Sequence, residues 1–132
     1  GNPKAIYTMN IGIRPYYTPG FSGEDFTSGE MNDFYVLPRE RFIDGSQAFL
    51  LAPLGVKEAG GWAGGGWGQT GLKHDAQYMA DFVNLVNKSG GVVAIDVRLN
   101  PDGSFDPGQL EVLKAIGCRT GTLKSRGKGG SK

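Results

Sequence analysis

Regular periodicity in this chain is concentrated in one block, residues 74–117, and that block constrains the fold more than anything else in the sequence. Asp75, Met79, Phe82, Val83 and Val86 recur at helical spacing, with Tyr78 and Leu85 widening the apolar stripe. The spacing predicts a helix over His74 to Lys88, stopped by Gly90-Gly91. Gly91 to Val97 (GVVAIDV) is then a near-continuous apolar run of strand length, the pattern of a parallel strand covered on both faces. Pro101 to Ser104 reads as a turn. Asp106 suits an N-cap, Pro107 the first helical position, and Gln109 the third residue of a capping box. Leu110, Leu113 and Ile116 give this last helix its apolar face, with Gly117 as its stop.

Outside that block the sequence is turn-rich. It has 23 Gly and 7 Pro in 132 residues, and they cluster between apolar runs, as in a protein built of long shaped loops. Ala5 to Asn10 reads as a short buried strand and Gln47 to Leu54 as a second, ended by Pro53 and Gly55. Ile11 to Asp44 shows no sustained period, and Gly60 to Gly68 is a glycine loop carrying Trp62 and Trp67. The order strand, long loop, strand, loop, helix, strand, loop, helix predicts three parallel strands joined partly by a βαβ crossover. Such an open slab leaves an apolar edge and a poorly covered face, so it calls for a partner.

Charge and cysteine content exclude several classes. From Cys118 onward there are five basic residues (Arg119, Lys124, Arg126, Lys128, Lys132) and no acid, while the whole chain is only +1. This Gly-rich tail, 118–132, has no aromatic interleaving, so it reads as a flexible, frayed or appended terminus rather than a nucleic-acid binder. The single Cys118 permits no intrachain disulfide, and with one histidine, His74, there is no metal-ligand spacing and no implied cofactor. Gly64-Gly65-Gly66 lacks the lysine and hydroxyl of a phosphate loop. No run reaches the roughly 18 apolar residues of a membrane span. Compartment is left open.

The stretch DAQYMADFVNLVNKSGGVVAIDVRLNPDGSFDPGQLEVLKAIG resembles the last helix–strand–helix of the family 29 glycoside hydrolases, the α-L-fucosidase-like enzymes. Gly66-Trp67-Gly68 resembles that family's Ser-Trp-Gly-Tyr element with Gln69 in place of the tyrosine, Asn10 its Asn-Asp with Gly12 in place of the acid, and Thr27-Ser28-Gly29-Glu30 its Thr-Pro/Ala-Glu element. The resemblance implies an α/β fold that is part of a (β/α)₈ TIM barrel: the last three parallel strands with their helices and long loops, residues 1–117. It further implies a fragment of a retaining hydrolase acting on terminal α-L-fucosides, inactive alone because no Trp-x-Asp nucleophile motif is present. The alternative is a non-catalytic carbohydrate-binding or structural module derived from such a barrel. A secreted or periplasmic parent belongs to the same expectation.

Retaining chemistry needs two carboxyl groups about 5–5.5 Å apart. On the resemblance Glu30 is the acid/base candidate, with Glu24, Asp25 and Asp33 as rivals. Trp67 and Trp62 are candidates for stacking on a carbohydrate substrate, Asn10 for contacting it, and Asp96 for orienting it. Arg98 shares a strand face with Asp96 and is expected to pair with it. His74 reads as a neighbour of a helix cap. The expected partners are the substrate and either the missing N-terminal part of the barrel or a second copy bound through the exposed sheet.

Overall fold

The computed structural model describes residues 2–14, 16–56 and 65–122. In chain order its elements are β1 (Phe42–Ile43), β2 (Ser46–Gln47), β3 (Phe49–Pro53), α1 (Ala76–Lys88), β4 (Val92–Asp96) and α2 (Pro107–Arg119). β1 and β2 form an antiparallel hairpin, and β3 and β4 a separate parallel pair in the register Phe49↔Val92 to Pro53↔Asp96. Asp44 and Gly45 turn the hairpin, both at positive φ (48° and 88°), which is what a two-residue turn of primed type demands.

The helices follow local chemistry. Asp75 caps α1 by accepting from the Tyr78 amide at 2.7 Å, and Gly90 (φ 79°) takes the left-handed position after its end. Met79, Ala80, Phe82, Val83 and Val86 are its buried residues. All of these but Ala80 pack in one core with Leu50, Ala52 and Leu54 of the sheet side, and Met31, Phe34 and Tyr17 join it from the long N-terminal segment. Tyr17 donates its hydroxyl to Val36 O at 3.1 Å, and burial pushes its phenol well above the usual range.

Several expectations are corrected here. There is no barrel and no barrel portion: the described residues hold two open two-stranded sheets and two helices. Ala5 to Asn10 is not a buried strand, since Ile6, Tyr7 and Met9 are exposed. Its amides are taken by side chains rather than by a ladder: Tyr7 N donates to Asp25 Oδ2 (2.7 Å) and Met9 N to Glu24 Oε2 (3.3 Å). A third parallel strand beside β3 is also interrupted. Residues 25–31 run along β2 and β3 through isolated bridges at Phe26↔Gln47 and Glu30↔Leu51. Between them the Thr27 hydroxyl intercepts Phe49, accepting from its N–H at 2.9 Å and donating to its carbonyl at 2.8 Å. Glu24 is buried rather than a free loop acid, and accepts from Gly20 N at 2.6 Å.

α2 continues through Gly117 to Arg119. Gly121 (φ 75°) follows its end. Its buried residues are Gln109 and Val112, so its inward face lies about one position away from the Leu110–Leu113–Ile116 stripe, of which Ile116 touches the core. Asp106 caps it as expected, accepting from Gln109 N at 3.0 Å. The Gln109 side chain does not complete a capping box. It accepts from Arg98 N (2.7 Å) and donates to Gln69 O (2.9 Å) and Gly71 O (3.0 Å), tying the loop after β3 to α2.

Candidate functional site

The carboxyl ends of β3 and β4 collect most of the polar residues singled out above, and open α/β sheets place ligands at such ends. Glu30 is half-buried and accepts from Asn10 Nδ2 at 2.5 Å, while Asn10 Oδ1 accepts from Gly12 N at 2.7 Å. Trp67 donates its indole N–H to Asn32 Oδ1 at 3.2 Å. Asp96 Oδ2 accepts from Gly68 N at 2.7 Å, and Arg98 Nη1 donates to Gly68 O at 3.1 Å. Arg98 and Asp96 therefore clasp Gly68 from two sides, and no direct ion pair joins them among the described residues. Asn10 and Glu30 are brought together, as are Trp67 and Asp96 through Gly68. No side-chain hydrogen bond among the described residues links the two groups. Trp62 and residues 123–132 of the tail lie outside the described residues.

The most engaged group here carried no motif. Lys73 donates from Nζ to Pro53 O at 3.1 Å, to Asn32 O at 2.5 Å and to Gly65 O, so one ammonium ties three segments together. Burial holds its pKa below the ordinary lysine value, opposed by the charges of Asp33 and Asp96. Beside it His74 Nε2 meets Asp33 Oδ1 at 2.5 Å, and its ring stacks on Tyr78 with centroids 4.1 Å apart. His74 thus joins α1 to the long loop instead of idling beside a cap. Gly55 sits so close beneath this loop that a Cβ there would meet Gln69 O at 2.3 Å.

What these groups share is that each makes a hydrogen bond to another part of the chain. No buried side-chain nitrogen or oxygen lacks a partner among the described residues, and none of them form a group of three that could hold a metal. The arrangement fixes the 65–73 loop over the sheet.

The unsatisfied surface lies elsewhere. Leu50 and Ala52 face α1, so by strand alternation Phe49, Leu51, Val92 and Ala94 share the opposite face, over which no helix of the described residues packs. Phe26 extends that face, its ring 5.1 Å from Phe49. At its lower end Ile6, Phe26, Phe42, Phe49 and Val92 line an open apolar cleft of about 490 Å³, with Arg41 at its rim. Ile6, Phe42 and Val92 are 74%, 48% and 43% exposed.

The cleft adjoins a free strand edge. Val92 N donates to Ala48 O (2.9 Å) and Asp96 O accepts from Leu54 N (3.0 Å). The two-residue period then turns the main-chain groups of Val92, Ala94 and Asp96 toward β3, and those of Val93 and Ile95 away from it. No strand of the described residues pairs with that outer edge. The edge holds no proline and no lysine, and its first four residues are Val, Val, Ala and Ile, with Asp96 its one charged residue. No helix of the described residues is long and apolar enough to cross a membrane.

No known family profile, no curated protein and no solved structure matches this chain. With no barrel present either, the resemblance to the α-L-fucosidase-like hydrolases is overturned. The readings that hung on it, a retaining hydrolase fragment or a carbohydrate-binding module cut from the same barrel, fall with it.

Proposed function

We propose that this chain is a self-associating unit in which a second copy completes the open β3–β4 sheet. The observation that carries the reading is the unblocked outer edge of β4, directly beside an exposed apolar cleft. Large contiguous apolar exposure on a soluble surface marks interaction sites, and an unpaired edge is a template for another strand. A second copy suits the charge pattern. The cleft carries both Arg41 and Asp25, and the chain is only +1 overall, so two copies meet with little repulsion. In this reading Glu30, Asn10, Trp67 and Asp96 are scaffold residues that hold the loops above the sheet, as their hydrogen bonds within the chain support.

Sedimentation over roughly a hundred-fold range of concentration tests this. The expected result is a reversible shift toward twice the 14.0 kDa chain mass. Val92→Lys places a charge where the edge meets the cleft and should weaken association about tenfold or more. A wild-type chain that stays at single-chain mass throughout overturns the reading.

A further inference from the structure

Resting on that self-association, we infer its geometry: the two copies pack head to tail about a two-fold axis that runs along the strands, β4 of each lying parallel to residues 6–10 of the other. The chain has a second free edge to offer. Arg14 N donates to Glu30 O at 2.8 Å, and the bridges Ile13↔Glu30 and Glu30↔Leu51 are both parallel, as is the β3–β4 pair. The order across the molecule is therefore residues 6–14, residues 25–31, β3 and β4, all running one way. Lower in the first segment, Tyr7 O accepts from Asp25 N at 2.9 Å, Tyr7 N donates to Asp25 Oδ2, and Met9 O accepts from the Ser28 hydroxyl. Tyr7 and Met9 thus turn their main-chain groups inward. By the two-residue period those of Ile6 and Thr8 point outward, and no described residue pairs with them.

Two edges on opposite sides of one parallel array suit each other when the neighbour keeps the same strand direction. A two-fold perpendicular to the sheet reverses that direction. It would pair β4 with β4 and leave both the 6–10 edge and the apolar face uncovered. A two-fold parallel to the strands preserves direction. It sets the outward groups of Val93 and Ile95 in each copy beside those of Ile6 and Thr8 in the other, so both edges of both copies are used. The same rotation turns the two open faces toward each other. That face holds Phe26, Phe49, Leu51, Val92 and Ala94, and its cleft runs from Ile6 on one free edge to Val92 on the other. α1 packs on the opposite face, against Leu50 and Ala52, and stays clear of the contact. One arrangement therefore covers the edges and the cleft together.

The test is complementation between two variants of the full chain. Val92→Lys obstructs the β4 edge. Ile6→Pro removes an outward N–H from the other edge and breaks no hydrogen bond among the described residues. Each variant alone should associate about tenfold or more weakly than wild type, with unchanged helical circular dichroism. Mixed one to one, they should form a heterodimer at concentrations where neither self-associates, because one of its two interfaces joins two unaltered edges. Sedimentation with one variant carrying a fluorophore on the exposed Cys118 reads this directly. Ile6→Pro that self-associates as wild type does, or a mixture no heavier than its parts, overturns this geometry and leaves self-association standing. A wild-type chain that never associates overturns both.

Discussion

The described residues of 2–47 and of 48–122 reach order by different routes. The second region does so through regular elements: two helices, each capped by an aspartate, and a parallel pair whose main-chain groups satisfy one another. The first is nearly free of regular structure, apart from the small β1–β2 hairpin, yet Glu24, Thr27, Ser28, Met31 and Phe34 within it are buried. Side chains do there what ladders do elsewhere. The carboxylates of Glu24 and Asp25 receive backbone amides, the Thr27 hydroxyl stands in for a strand neighbour of Phe49, and the Ser46 hydroxyl donates to Glu24 O at 2.9 Å. An irregular segment can be fully satisfied, but each of its bonds depends on one particular side chain. The same difference separates the two edges of the sheet. Residues 25–31 cover the β3 edge, and nothing among the described residues covers the β4 edge.

The largest effect should come where the two regions share one core. Phe34 belongs to the irregular segment, is fully buried, and meets Phe82 of α1 edge-on with centroids 5.9 Å apart. Phe34→Ala should cost about 3–5 kcal/mol by cavity formation. Denaturant unfolding followed both by helical circular dichroism and by tryptophan fluorescence should show one earlier, coincident transition. If the helices kept the wild-type midpoint while the rest of the chain loosened, the regions would be separate cooperative units rather than two routes to one core.

Thr27 gives a sharper contrast, because it tests a side chain acting as a strand. Thr27→Val keeps the shape and removes the hydroxyl that serves both the N–H and the C=O of Phe49. Leaving such groups without a partner should cost about 1–3 kcal/mol. Hydrogen exchange at the Phe49 amide should quicken most. Unchanged stability and exchange would mean that Thr27 fills space and no more.

This division also explains what the sequence makes legible. Both helices, the Asp106 cap and the β3 and β4 segments follow from period and short-range capping, with errors where Asp75 caps α1 instead of belonging to its stripe, where α2 runs past Gly117 and where its inward face turns to Val112. Ala5 to Asn10 misleads because apolar content does not say which groups will receive the backbone amides, and here two acids distant in sequence do. Asp44-Gly45 is a strong hairpin signal, but strands of two residues are too short to show alternation. Lys73 and Gln109 each satisfy carbonyls of chain segments far apart in sequence, and no spacing rule anticipates that. The candidate residues Glu30, Asn10, Trp67 and Asp96 are legible as polar or aromatic groups near strand ends. Their partners are not, and the partners decide what they do.

The smallest effect belongs to the regular region, where one side chain serves one bond. Asp106 accepts from Gln109 N at 3.0 Å, satisfying one of the amides at the start of α2. The Gln109 side chain is engaged with Arg98, Gln69 and Gly71, so removing the cap leaves those bonds standing. Pro107 keeps the first helical position fixed whatever precedes it. Asp106→Ala should therefore cost only about 0.5–2 kcal/mol, and Asp106→Asn much less, because the amide oxygen still accepts. Faster hydrogen exchange should be confined to the first turn of α2, leaving Met79 to Val86 of α1 as protected as before. A loss equal to that of Phe34→Ala would show that the start of α2 holds the whole core in place. The distinction between locally specified helices and a side-chain-built N-terminal region would then fail at its most regular point.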